Sequence, residues 1–189
     1  AWPCDGYYGE MNGSWTDNSV NVSAGQTSRN YNVPGDGKFD QSDFPSAVEL
    51  QVGRVDFANM PAFSASEVEL TRSYLNKAHA YKTRQFVPQN RGIVFDNLQW
   101  VSNPLAGAGY RNIAALVGGA NITDCYPYGA SFSSQINGQS YLWTYESGGG
   151  WWDNANNVGS TADYAAMSFG GIFNMSMGSY FGDWDVTNS

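Results

Sequence analysis

The stretch that most constrains the fold is a short apolar run that ends abruptly in polar residues and glycine. Residues 141–145 (YLWTY) are aromatic, aliphatic or β-branched, and the run has the length of a covered strand rather than of a helix. Glu146 and Ser147 follow it, and a run of three glycines at 148–150 ends it. Glycine lets a ligand approach the main chain, and ligands of α/β proteins bind at the carboxyl ends of strands. The stretch therefore predicts either a ligand-binding site at this point or a plain glycine-rich turn.

Further strands and helices alternate along the chain. Strands are predicted at residues 48–57, 92–95 and 171–177, and a short helix is predicted near residues 161–167. A longer helix should follow residues 64–67 (SASE), where Ser64 and Glu67 form a capping box, and its apolar residues recur on one face that should pack on the sheet. The periodicity of residues 105–118 does not decide between helix and strand, and residues 124–138 are predicted to be a loop. The alternation predicts one α/β domain over residues 1–189, with a mostly parallel sheet flanked by helices.

The first 45 residues differ from the rest, because they are acidic, rich in Gly and Asn, and poor in apolar periodicity. This composition predicts an irregular segment of loops with at most short strands. Calcium takes oxygen ligands from a backbone that bends around the ion, and acids alternate with glycine here. Asp17, Asp36 and Asp40 are therefore candidate ligands of a structural calcium. The EF-hand spacing is absent, and solvated turns are the alternative.

The composition favours an extracellular protein. Aromatic residues make up 15% of the chain and charged residues only 14%, a profile typical of secreted proteins. The net charge of -8 argues against a nucleic-acid partner, because affinity for phosphates comes mainly from Lys and Arg. No apolar run approaches the ~20 residues that span a bilayer. The chain shows no signal peptide, so we expect that a signal was removed or that the chain is a piece of a larger protein.

Two cysteines, Cys4 and Cys125, permit one disulfide in an oxidising compartment. Such a bond would close a long loop and could add up to about 4 to 5 kcal/mol of stability in the chain-entropy model. Two buried free thiols are the alternative.

Several stretches resemble a group of large secreted bacterial proteins, and that group distantly resembles the gingipain-type cysteine peptidases, which have a caspase-like α/β fold. The stretches span nearly the whole chain: 5–9 (DGYYG), 13–17 (GSWTD), 32–40 (NVPGDGKFD), 48–56 (VELQVGRVD), 74–77 (YLNK), 140–143 (SYLW) and 178–185 (GSYFGDWD). The resemblance implies a caspase-like fold in a chain that is incomplete at both ends. A second polypeptide would supply the missing elements, or the chain is a trimmed product.

The resemblance also implies where a catalytic dyad would lie. In caspase-like peptidases a His-Gly pair ends one strand, the nucleophilic Cys ends the next, and the His accepts the thiol proton. These positions fall near 146–148 (ESG) and 178–179 (GS), so neither residue of the dyad is present. His79 lies on the predicted helix and Cys125 in the predicted loop. Ser179 as nucleophile with Glu146 as base is a weaker alternative, because the G-x-S-x-G elbow is absent.

Three functions remain open at this point. The first is a non-peptidase module of a larger extracellular protein or assembly. The second is a polysaccharide hydrolase that uses paired carboxylates, for which Glu146, Asp183 and Asp185 are candidates. The third is a carbohydrate-binding module. The side chains that would stack on sugar rings are Trp143, Trp151, Trp152 and Trp184, and packing in the core or in loops is their alternative role.

Overall fold

The structure, a computed structural model of the chain, describes residues 5–18, 34–37, 44–98, 105–125 and 129–180. The chain divides into two compact units, residues 1–55 and 56–189. In the described part of the first unit, the regular element is a single helical turn, α1 (Asp5–Gly9). The sequence predicted loops or short strands there, so the helix is a correction. The turn has no apolar periodicity to reveal it, and the Tyr7 ring packs edge-on against Trp15 with centroids 5.1 Å apart.

The second unit is built on a parallel sheet. Among the described residues its strands are β1 (Gly92–Asp96), β2 (Ile122–Asp124), β3 (Tyr141–Ser147) and β6 (Gly171–Met177), in the order β2-β1-β3-β6. Every neighbouring pair in this sheet is parallel. Two short strands, β4 (Asn154–Ala155) and β5 (Gly159–Ser160), form a separate antiparallel hairpin. The predicted α/β architecture with a mostly parallel sheet is confirmed.

Helices connect these strands and flank the sheet. They are α2 (Glu67–Lys82), α3 (Leu105–Val117), α4 (Phe132–Ile136) and α5 (Thr161–Ala166), and a 3-10 turn spans Gly119–Asn121. The predicted α2 and α5 are confirmed, and of the stretch 105–118 residues 105–117 form a helix. The capping box of α2 is formed by Ser66 and Glu69, not by Ser64 and Glu67. Both pairs have the correct spacing of three, and the helix begins at the second.

The core lies on both faces of the central strand β1, whose residues are all buried. Successive side chains of a strand point to opposite faces, so Val94 joins one cluster while Ile93 and Phe95 join the other. Val94 packs with Ile113 and Val117 of α3 and with Tyr145. The cluster on the opposite face includes Phe95, Phe132, Ile136 and Val158. A strand buried on both faces explains why residues 92–95 read as a continuous apolar run.

Three other sequence expectations are corrected. Residues 48–57 form no regular strand, and Val48, Leu50 and Val55 are exposed, because an alternating pattern makes a strand only where a neighbour pairs with it. Residues 124–138 are not all loop, since they include α4. The apolar face of α2 is exposed at Leu75, and its ring contact with the sheet is made by Tyr81, whose ring meets Phe173 edge-on at 5.5 Å.

Candidate functional site

Polar side chains gather on one face of the sheet where β3 and β6 run side by side. The two strands are parallel and in register, with Thr144 opposite Asn174 and Glu146 opposite Ser176. Residues opposite each other in a register point to the same face, so these four side chains are neighbours. We call this group the Glu146 cluster. It lies near the carboxyl ends of the strands, where ligands of α/β folds bind.

Hydrogen bonds link all four members of the Glu146 cluster. The Ser176 hydroxyl donates a short bond to Glu146 Oε1. Asn174 Nδ2 donates to the same oxygen at 3.0 Å and to Ser176 Oγ at 2.8 Å. The Thr144 hydroxyl donates a short bond to Asn174 Oδ1, which determines which way the amide faces. Both donors to the carboxylate come from β6, and both bind the same oxygen, Oε1.

The Glu146 carboxyl group is in an unusual electrostatic position. Its side chain has 0% exposure, and its Oε2 is buried without a hydrogen-bond partner among the described residues. Burial raises the pKa of Glu146 to about 7, although the bonds from Ser176 and Asn174 act in the opposite direction. Both the neutral and the ionised forms are therefore populated near neutral pH. A carboxyl group with this pKa can take up and release a proton under ordinary conditions.

Ser176 also lines a cavity of about 350 Å³ beside the cluster. The other lining residues come from the β4–β5 hairpin, from α5 and from the segment before α2: Met60, Phe63, Trp152, Asp153, Asn154, Val158, Gly159, Ser160, Thr161 and Tyr164. Burial, and then the charge of Glu146, raise the pKa of the Tyr164 hydroxyl above its ordinary value. Tyr164 therefore keeps its proton at neutral pH and is a hydrogen-bond donor in the cavity wall.

The hairpin that forms one wall of this cavity is anchored to the core. The amides of Phe132 and Ser133, at the start of α4, donate to the carbonyls of Asn157 and Val158 at 2.9 and 2.8 Å. The Val158 side chain is buried in the core. Asn97, which follows β1, donates its side-chain amide to the Asn156 carbonyl at 2.9 Å. These bonds hold the hairpin beside the sheet.

Three exposed aromatic rings lie next to the cavity, and we call them the aromatic patch. Trp151 is 45% exposed, Trp152 is 40% exposed and Tyr180 is 49% exposed. The two tryptophan rings lie 4.3 Å apart between centroids, and the Tyr180 ring meets Trp151 edge-on at 5.1 Å. Trp152 also lines the cavity, so the two features are continuous. Contiguous exposed patches of large apolar side chains often mark binding surfaces.

The glycine run allows the patch to form. A Cβ atom on Gly150 would lie 2.3 Å from the Ser179 carbonyl oxygen, and one on Gly148 would lie 2.7 Å from the Asn156 carbonyl oxygen. Neither distance is possible for a larger residue without a shift of the main chain. The glycines therefore let the chain after β3 lie close to the chain after β6, which brings Trp151 near Tyr180.

The structure places the candidate catalytic and stacking residues in different environments. Ser179 is exposed beyond the end of β6, whereas Ser176 is the serine that contacts Glu146. Trp143 stacks on Phe173 at 4.6 Å, half-buried and apart from the patch. Asp183, Trp184 and Asp185 lie outside the described residues. Of the predicted tryptophans, the structure brings together Trp151 and Trp152.

Sequence reasoning missed Asn174 and Ser176, which complete the cluster, and also Tyr164 and Tyr180. One signal for the first pair was present in residues 171–177 (GIFNMSM), where polar residues alternate with Phe and Met in the second half of the strand. Such alternation indicates a polar face. It does not indicate which residue of another strand lies opposite that face.

The predicted calcium ligands lie in the first unit. Asp17 accepts hydrogen bonds from the amides of Gly35 and Gly37, at 3.0 Å to Oδ1 and 2.6 Å to Oδ2, so its carboxylate organises the turn at residues 34–37. Asp36 is in that turn, and Asp40 lies outside the described residues. The described ranges hold no group of three side chains that could bind a metal ion. The calcium site stays a prediction.

Cys125 is buried, and burial together with the charge of Asp124 raises the pKa of its thiol to about 12. Such a thiol carries almost no thiolate at neutral pH and is therefore a poor nucleophile. Cys4 lies outside the described residues, so the disulfide stays a prediction. His79 is exposed in the last turn of α2.

No family model, curated protein or solved structure matches this chain. The similarity to gingipain-type peptidases therefore rests on the sequence stretches alone and stays a prediction. Within the described part of the chain, none of the helices has the length and apolar character needed to cross a membrane.

Proposed function

We propose that the second unit is a glycan-binding module without peptidase activity, and that it belongs to a larger secreted bacterial protein. The aromatic patch and the adjoining cavity would form its binding surface. The observation that carries this proposal is the pair of neighbouring tryptophans, Trp151 and Trp152, whose rings are exposed beside a cavity that Asp153 and Asn154 help to line.

The chemistry of sugars matches this surface. A pyranose ring presents an apolar face of C–H groups and a rim of hydroxyl groups, so it suits a site that offers both an aromatic ring and polar side chains. The patch offers the rings of Trp151, Trp152 and Tyr180. Asp153 and Asn154 line the cavity beside Trp152 and offer a carboxylate and an amide. Aromatic rings with such polar neighbours are the usual composition of small-molecule sites.

The absence of peptidase activity is supported by the environment of the cysteine. A cysteine peptidase needs an accessible thiol that ionises beside a histidine. Cys125 is buried, and its raised pKa keeps the thiol protonated. By the resemblance to the caspase-like scaffold, the dyad positions hold Glu146 and Ser179 instead. Secretion and a role within a larger assembly are parts of the same proposal.

Isothermal titration calorimetry against soluble β-glucan, xylan, mannan and pectin tests the proposal. We expect binding to at least one polymer, and we expect Trp151→Ala and Trp152→Ala each to weaken it by about 10- to 100-fold, since central aromatic residues dominate binding energies. Tyr74→Ala is the matched control, because Tyr74 is an aromatic residue of similar exposure on α2. Absence of binding to the whole panel, or unchanged affinity in the Trp151→Ala/Trp152→Ala double variant, would refute the proposal.

A further inference from the structure

Ser176 and Glu146 are arranged as a nucleophile and its base. The Ser176 hydroxyl donates its hydrogen bond to Glu146 Oε1, so the proton already points towards the group that would remove it. Ser176 lines the cavity, whereas Glu146 lies behind it with no exposed surface. A substrate in the cavity can therefore reach the serine oxygen, while the base stays shielded from bulk water. A nucleophile within hydrogen-bond reach of a base is the arrangement that covalent catalysis requires.

The surroundings of Glu146 make it a stronger base than an ordinary carboxylate. An exposed glutamate is too weak a base to activate a hydroxyl group efficiently at neutral pH. Burial raises the pKa of Glu146 to about 7, and Oε2 has no partner among the described residues. With one oxygen unpaired, the carboxylate is less stabilised than a fully hydrogen-bonded one, so it accepts a proton at Oε1 more readily.

Asn174 and Tyr164 supply the remaining parts of such a site. Asn174 Nδ2 donates to both Glu146 Oε1 and Ser176 Oγ, and it positions the two oxygens relative to each other. The bond from Thr144 holds the Asn174 amide in this orientation. Tyr164 lines the same cavity and keeps its proton, so it is a candidate donor to a developing oxyanion.

We propose that the Ser176–Glu146 pair hydrolyses esters of small carboxylic acids, such as acetyl groups, carried by the bound glycan. The identity of the substrate's sugar part rests on the proposed function. Ser176 Oγ would form a bond to the ester carbonyl carbon while its proton passes to Glu146. The bond from that carbon to the sugar oxygen would then break, and the proton on Glu146 would pass to the departing sugar oxygen.

Water completes the cycle without another reactant. A water molecule would attack the acyl-Ser176 ester and give its proton to Glu146. The bond to Ser176 Oγ would break, that oxygen would regain the proton, and the carboxylic acid would leave. An ester fits this scheme better than an amide, because a sugar oxygen is a much better leaving group than an amine.

The test measures hydrolysis of p-nitrophenyl acetate and release of acetate from acetylated xylan. We expect activity in the unmodified chain, background rates in Ser176→Ala, and a loss in kcat/KM of about 100-fold or more in Glu146→Gln. Ser168→Ala replaces an exposed serine that does not line this cavity and should retain full activity. In the unmodified chain kcat/KM should rise with pH through a value near 7, as Glu146 loses its proton.

The positioning role of Asn174 can be tested separately, through the pH profile of kcat/KM. The bond from Asn174 lowers the pKa of Glu146, so Asn174→Ala should move the pH profile of kcat/KM to higher pH.

A serine-directed fluorophosphonate gives a second measurement that needs no variant. It should add one probe mass to the unmodified chain, and peptide mapping should place the adduct on Ser176.

The outcomes separate this inference from the proposed function. A chain that binds glycans but neither hydrolyses these esters nor reacts with the fluorophosphonate overturns the catalytic pair and leaves the binding module intact. Full activity in Ser176→Ala, or labelling at another serine alone, also overturns the pair. Ester hydrolysis that depends on Ser176 in a chain that binds none of the glycans supports the pair and overturns only the proposed glycan.

Discussion

Replacing Glu146 by glutamine should change how the stability of the protein depends on pH. Glu146→Gln keeps the size and most of the hydrogen-bonding capacity of the side chain but removes its ionisation. In the folded chain burial raises the pKa of Glu146 from an ordinary value of 4.5 to about 7. Each pKa unit corresponds to about 1.4 kcal/mol, so this rise corresponds to roughly 3 kcal/mol.

Whether the free energy of unfolding rises or falls with pH depends on which state, folded or unfolded, binds the proton more tightly. The folded state does, so the contribution of Glu146 to stability is fully present below pH 4.5 and is lost as the pH rises through about 7. The free energy of unfolding of the unmodified chain should therefore fall by roughly 3 kcal/mol across this range because of this one group. Glu146→Gln does not titrate, so it should gain that amount relative to the unmodified chain as the pH rises.

Urea unfolding, followed by tryptophan fluorescence from about pH 4 to about pH 9, measures this difference. Asp163→Asn is a control whose difference from the unmodified chain should stay constant over this pH range. Hydrogen bonds from the Ser160 side chain and amide lower the pKa of Asp163, so its contribution is lost only as the pH falls below the ordinary value of 3.8. A difference between Glu146→Gln and the unmodified chain that stays constant from pH 5 to pH 8 would refute the reasoning.

Three further changes test the packing and the local geometry. Phe95→Ala should lower the free energy of unfolding by about 3 to 5 kcal/mol in urea, because Phe95 is 0% exposed, whereas Leu116→Ala on the exposed side of α3 should change it by less than about 0.5 kcal/mol. Ser66→Ala should cost about 1 kcal/mol by removing the helix cap, and an equal loss in Ser64→Ala would show that the cap is misplaced. Gly150→Ala should cost about 1 to 3 kcal/mol in thermal unfolding through the contact with the main chain after β6, and an unchanged melting temperature would contradict that contact.

The elements that could be predicted from the sequence are those with a strong local signal. Strands β1, β3 and β6 are runs of apolar and aromatic residues of strand length, and α2 and α5 begin at serine caps. The failure at residues 48–57 has a physical cause. Its alternating residues satisfy the local requirement for a strand, but a strand forms only when another strand supplies hydrogen bonds, and the pattern contains no information about that partner.

The residues of the candidate site also divide into those that have a local sequence signal and those that depend on a partner strand. Glu146 could be selected because it is a carboxylate directly after the apolar run 141–145, and Trp151 and Trp152 because they follow a glycine run. Ser176 could not be paired with Glu146 from the sequence, since 30 residues separate them and the register of β3 with β6 brings them together. Ser179, the serine that the sequence predicts as the partner of Glu146, lies beyond the end of β6.

The sequence by itself determined the kinds of element, the parallel α/β class and the chemical groups near the strand ends, because these depend on local propensity and periodicity. The tertiary structure alone decided which of those groups became neighbours and how they ionise. Strand order and register place Ser176 and Asn174 on Glu146, and burial raises the pKa of that carboxyl group. Both depend on contacts between residues distant in the chain, which local patterns do not encode.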